Sequence, residues 1–158
     1  FCMETTHIIK AHNQNLLLFH LVCPVKYRRK IFQHEILDAS IREICLHEIQ
    51  EQPYEIIFHE IGVDLDHVHF LLQTVPMIST KNMVQTIKSI TARFLRIEHA
   101  ELLKKYFWKP VFWTDGYYIS TVWAHANANT IENYIKNQWK SQEFKRLYVS
   151  EEQMQLML

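Results

Sequence analysis

Two histidines one residue apart, His67 and His69 in the run Asp66-His67-Val68-His69-Phe70-Leu71-Leu72, have a spacing that could do chemistry. Alternate side chains of a strand leave the sheet on one face, so both imidazoles project together while Val68 points into the opposite layer. Two such rings can share one divalent cation. In a chain with 10 histidines the same pair also arises by chance, and two hydrogen-bonded surface histidines would explain it as well. Tyr134 and Gln138 form a second pair. Four residues apart on a helix, they set a phenol beside a carboxamide near an apolar stripe. A half-buried aromatic with a polar neighbour is the competing account.

The elements that must position these groups follow from hydrophobic spacing. Leu16 to Val22 is an apolar run interrupted only by His20, short enough for a buried strand, and Pro24 should end it. Ile36, Leu37, Ile41, Ile44, Cys45 and Ile49 predict a helix over 35–51, before Pro53. Tyr54 to Val63 and His67 to Val75 read as a hairpin whose turn lies in Gly62 to Asp66. Ser79 is a candidate N-cap for an amphipathic helix carrying Met83, Ile87, Ile90, Phe94 and Ile97. A strand over Tyr117 to Val122 should follow, and then a helix capped at Asn129 or Thr130 with Ile131, Ile135 and Trp139 on its apolar side. The order strand, helix, hairpin, helix, strand, helix predicts an α+β fold, a ferredoxin-like split βαβ with an antiparallel sheet and helices on one face. That topology serves many functions, so it leaves the chemistry open.

Composition narrows the classes. With 158 residues, 48% hydrophobic, the chain fits one domain over 1–158, with a helical tail from about position 142. No apolar run approaches the roughly 20 residues of a membrane span, which predicts a cytoplasmic, membrane-free protein. Cys2, Cys23 and Cys45 are odd in number and widely spaced, so they read as reduced thiols. Walker and dinucleotide fingerprints are absent from the sequence. Net charge is zero, 17 basic against 17 acidic residues, which counts against a nucleic-acid binder on balance alone. Distribution counts for more: Lys26, Arg28, Arg29 and Lys30 cluster, and Lys81, Lys88, Arg93 and Arg96 follow one another along a single segment. Each cluster is either a phosphate-binding patch or a solvated face.

Taken in order, Asp66 to Leu72, Phe112-Trp113, Gly116-Tyr117-Tyr118, Ser120-Thr121-Val122 and Asn133-Tyr134-Ile135-Lys136-Asn137-Gln138 resemble the single-tyrosine HUH transposases of the insertion-sequence 200/605 family. Val25-Lys26-Tyr27-Arg28-Arg29 and Lys88-Ser89 are similar to that family too. The resemblance runs from the first strand through Gln138. It implies that His67, His69 and Gln138 bind a divalent metal, Mg²⁺ or Mn²⁺, and that Tyr134 on the last helix is the nucleophile. It also implies single-stranded DNA with hairpin ends as substrate and a homodimer with shared active sites. Lys26, Arg28, Arg29 and Lys88 are then the expected DNA contacts, and Trp108, Trp113, Tyr117 and Tyr118 are candidates for stacking on bases. A non-catalytic ferredoxin-like nucleic-acid-binding module and a domesticated HUH nicking enzyme are the alternatives. One departure stands out: Trp123-Ala124-His125-Ala126-Asn127-Ala128-Asn129 occupies a linker where family members commonly carry glycine, which would restrict movement of the tyrosine helix.

Overall fold

The structure is a computed structural model that describes residues 7–122. Tyr134, Gln138, the helix expected to carry them, the 124–129 linker and the tail lie outside the described residues. A short ribbon, β1 (Ile8–Lys10) with β2 (Asn13–Asn15), precedes the main sheet. That sheet comprises β3 (Leu17–Pro24), β4 (Ile57–Val63), β5 (His67–Thr74) and β6 (Tyr118–Val122), in the spatial order β4-β5-β3-β6 with every neighbouring pair antiparallel. The first and third sheet strands in chain order therefore lie at the centre, as the split βαβ reading requires.

The helices are α1 (Glu35–Glu43), continued by a π-helical segment over Ile44–Gln50, then α2 (Thr80–Glu98) and the short α3 (Ala100–Lys104). Leu37, Ile41, Cys45 and Ile49 are fully buried at strict intervals of four. On an α-helix such a stripe drifts by about 40° per step, and wider winding turns it back toward the sheet. The Ser79 hydroxyl caps α2 by accepting from the Asn82 amide at 3.2 Å. Leu21, Cys23, Val68, Phe70 and Leu72 of the sheet join Leu37, Ile41, Met83 and Ile87 of the helices in the core. Burial pushes the Cys23 thiol up to about 12, and raises that of Cys45, which keeps both protonated. The other face of the sheet carries Leu18 and Leu71 with His20, His67, His69 and Gln73.

Three local features differ from the sequence reading. β3 runs two residues past Val22, because Pro24, which lacks an N–H, still offers its carbonyl to the Thr114 amide at 3.1 Å. The hairpin turn is confined to Asp64, Leu65 and Asp66, while Gly62 stays in β4 directly across from His69. The polar β1–β2 ribbon and the five-residue α3 carried too little apolar periodicity to be anticipated.

Candidate metal centre

His67 and His69 open β5, and their side chains leave it on the face away from the helices. Both are buried, at 6% and 2% exposure, with ring centroids 4.8 Å apart. Each ring is engaged through Nδ1, by a different kind of neighbour. His67 Nδ1 lies 2.7 Å from Asp66 Oδ1, and the other carboxylate oxygen, Oδ2, accepts from Arg28 Nη2 at 2.7 Å and Nε at 3.1 Å. Burial opposes ionisation of Asp66, but the hydrogen bond with His67 and the Arg28 charge outweigh it and hold the carboxyl below its usual range. On β3, His20 is 1% exposed and brings its Nε2 within 3.0 Å of His69 Nδ1, with the two rings stacked at 5.2 Å and 11°. Burial first, then the charges of His67 and His20, push the His69 pKa down to about 2, leaving the imidazole neutral.

This donor set fits a divalent cation. Metal-binding histidines commonly commit one ring nitrogen to a carboxylate or other acceptor and coordinate through the second, in the neutral form. Gly62, opposite His69 and without a side chain, gives the ring room. The Asp64 carboxylate sits 3.6 Å from His67 Nε2. Among the described residues no cluster of three His, Cys, Asp or Glu side chains could hold an ion. A complete protein ligand set therefore needs a further donor of another type or from beyond these residues.

Of the basic residues, Arg28 borders this centre through Asp66. Tyr27 and Arg28 both take positive φ, 58° and 52°, in a tight turn closed by the Arg28 amide on the Val25 carbonyl at 3.0 Å. Two consecutive non-glycine residues in this region cost roughly 1–2 kcal/mol each, and the turn directs the Arg28 guanidinium onto Asp66. Lys26 reaches to 3.7 Å from Asp115 Oδ2. The Lys88 ammonium donates to the carbonyls of Thr114, Asp115 and Gly116 at 2.6, 3.2 and 3.4 Å, so Lys26 and Lys88 converge on one loop. Arg29 is exposed. Between α2 and this loop lies a cavity of about 400 Å³ bordered by Lys81, Lys88, Arg96, Trp113 and Tyr117. Trp113 itself is core, its Nε1 donating to Thr91 Oγ1 at 2.9 Å, whereas Trp108 is 86% exposed.

Residues 13–138 match the family described as IS200-like transposases. The chain belongs to that family. It is 30% identical to the ISDra2 transposase TnpA of Deinococcus radiodurans over 122 residues, 77% of this chain and 84% of the relative. With the transposase for insertion sequence element IS200 of Salmonella typhimurium it shares 29% identity over 131 residues, 81% of this chain and 80% of the relative. A crystal structure assigned as a transposase from Deinococcus radiodurans R1 superposes with a TM-score of 0.60 at 25% identity, covering 83% of this chain and 97% of that one.

In this transposase the structure brings together His67, His69 and Arg28, while Lys26 and Lys88 both reach the loop of Thr114, Asp115 and Gly116. Arg28, read from sequence as a phosphate contact, stands behind the histidine pair as the partner of Asp66. His20 and Asp64 were not singled out by sequence reasoning. A histidine within an otherwise apolar strand was the available signal for His20. No helix of the described residues is long and apolar enough to cross a membrane.

Proposed function

We propose that this transposase cleaves and rejoins single-stranded DNA at insertion-sequence ends through a 5′-phosphotyrosine on Tyr134, with Mg²⁺ or Mn²⁺ held by His67, His69 and Gln138. The observation that carries this reading is the buried pair of imidazoles, each with its Nδ1 engaged, in a chain of the IS200-like family. A cation bound there supplies Lewis acidity to the scissile phosphate. His67 and His69 contribute neutral nitrogens and Gln138 a neutral oxygen, so little of the positive charge is cancelled by the protein. The Arg28–Asp66 pair fixes the His67 ring before substrate arrives, which avoids reorganisation during the reaction.

Tyr134 suits a reversible exchange. A phenol, with a reference pKa of about 10, is both more readily activated and a better leaving group than an aliphatic hydroxyl. Its oxygen forms a bond to phosphorus as the bond from phosphorus to the 3′ oxygen breaks, and the proton lost from the phenol is matched by one gained by the departing 3′-hydroxyl. Attack by another 3′-hydroxyl reverses the step and exchanges one phosphodiester for another. Lys26, Arg28 and Arg29 offer positive charge to the phosphates of hairpin-ended DNA, Lys88 holds the adjoining loop of Thr114, Asp115 and Gly116, and exposed Trp108 and Tyr117 offer rings for unpaired bases. Two copies of the chain share their active sites.

Single-stranded element ends incubated with the protein in Mg²⁺ or Mn²⁺ should yield a covalent protein–DNA band. Tyr134→Phe should bind the same DNA and give no band, and EDTA should abolish the band with the unaltered protein. Cleavage by Tyr134→Phe removes the nucleophile assignment, and full activity in chelator removes the metal.

A further inference from the structure

We infer that His20 is a positioning residue for His69: its Nε2 accepts the His69 Nδ1 proton and so fixes the tautomer and plane in which His69 presents Nε2 to the metal. The inference rests on the proposed metal-binding role of His67 and His69. Four observations carry it. His20 is 1% exposed, in the middle of a central strand, where an imidazole is costly unless hydrogen-bonded. Its Nε2 is 3.0 Å from His69 Nδ1. The rings are nearly parallel, 11° apart at 5.2 Å, which restrains rotation of His69. Strand register fixes the approach, since His20 pairs with Leu71 and Val22 with His69, leaving the two histidines diagonal on one face.

Chemistry sets the direction of the bond. A single proton lies between the two nitrogens. If it belonged to His20, His69 would carry its own proton on Nε2 and could not coordinate through that atom; if it belongs to His69 Nδ1, Nε2 presents a lone pair. Metal binding therefore selects the second arrangement. The two ligands then have unlike supports: His67 leans on an anionic carboxylate backed by Arg28, and His69 on a neutral imidazole. A neutral acceptor orients His69 without adding negative charge near the phosphate.

Mn²⁺ affinity and imidazole NMR test this. His20→Leu, which fills the site but cannot accept, should weaken Mn²⁺ binding by about 10- to 100-fold. His20→Gln, whose carboxamide oxygen can accept the same bond, should stay within about fivefold of the unaltered protein, a rescue that packing alone does not explain. In the unaltered protein loaded with Mg²⁺, ¹⁵N spectra should place the proton on His69 Nδ1, with a through-hydrogen-bond coupling to His20 Nε2. Unchanged Mn²⁺ affinity in folded His20→Leu overturns the inference, as does a spectrum with that proton on His20. If His20→Leu does not fold, the spectrum alone decides. His67→Ala separates the two ideas: wild-type Mn²⁺ affinity in that variant removes the metal centre itself, whereas its loss together with unchanged binding by His20→Leu removes only the role of His20.

Discussion

Asp66 shows how one side chain between two partners limits what can replace it. Its Oδ1 faces His67 Nδ1 and its Oδ2 faces the Arg28 guanidinium, so both oxygens are acceptors in use. Asparagine has one oxygen. In Asp66→Asn either His67 loses its acceptor or an amide N–H is turned toward a guanidinium with no acceptor between them. Mn²⁺ binding should fall by about 10- to 100-fold, read by titration of the folded variant, because the ring is no longer held in one orientation. Affinity equal to that of the unaltered protein would show that His67 is positioned without Asp66. That His67 and His69 share one face was legible from spacing, since alternation in a strand dictates it, whereas a metal role for the pair came only with the family resemblance. The Arg28–Asp66 support was not. A basic cluster in sequence looks alike whether its members face solvent or turn inward, and the two positive-φ residues that turn Arg28 inward, Tyr27 and Arg28, carry no glycine signal.

At the scale of elements, hydrophobic period identified every main-sheet strand and both long helices of the described residues, while boundaries moved where backbone hydrogen bonding decided them. β3 took in Cys23 and ended on Pro24, and Gly62, expected in the turn, became a strand residue facing His69. The reason lies across the sheet. Directly paired residues bring their Cβ atoms to about 4.5–5.5 Å, and His69 is 2% exposed, so a side chain at position 62 would meet the imidazole. Gly62→Val should therefore displace His69 and lower Mn²⁺ affinity at least about tenfold. Strand propensity favours valine over glycine, so the thermal midpoint should change little. Full Mn²⁺ affinity in Gly62→Val would mean that the glycine serves the backbone and not the ring.

Burial between sheet and helices makes a further prediction for the same layer. Cys23 on β3 and Cys45 on the π-helical segment are fully buried, with thiol pKa values raised by desolvation. Neither should react with a thiol reagent until the layer opens, so labelling rates should track unfolding. The pH dependence follows. Above about pH 9 the unfolded chain loses the Cys23 proton while the folded chain keeps it up to about 12, so the unfolded state binds fewer protons and stability falls as pH rises through that window. Rapid labelling of both thiols in the native protein at neutral pH would contradict the packing of β3 against the helices.

The whole molecule raises the question of where Tyr134, the proposed nucleophile, would meet the proposed metal site. β6 ends at Val122, and Tyr134 follows 134 − 122 = 12 residues later. Fully extended, 12 residues span at most roughly 40 Å. Family resemblance favours the histidine pair of a second copy over that of the same subunit. Mixing Tyr134→Phe with His67→Ala protein under conditions of subunit exchange distinguishes the arrangements, since neither variant has a complete site alone. In a dimer with shared sites, one site of each heterodimer collects both defects and the other joins intact histidines from the first variant to intact Tyr134 from the second. Cleavage should then return at about half the sites, with the DNA covalently attached only to the His67→Ala chain. Sites built within one subunit would both stay inactive. No recovered cleavage, once exchange has been verified by mass, would assign Tyr134 to the histidines of its own chain.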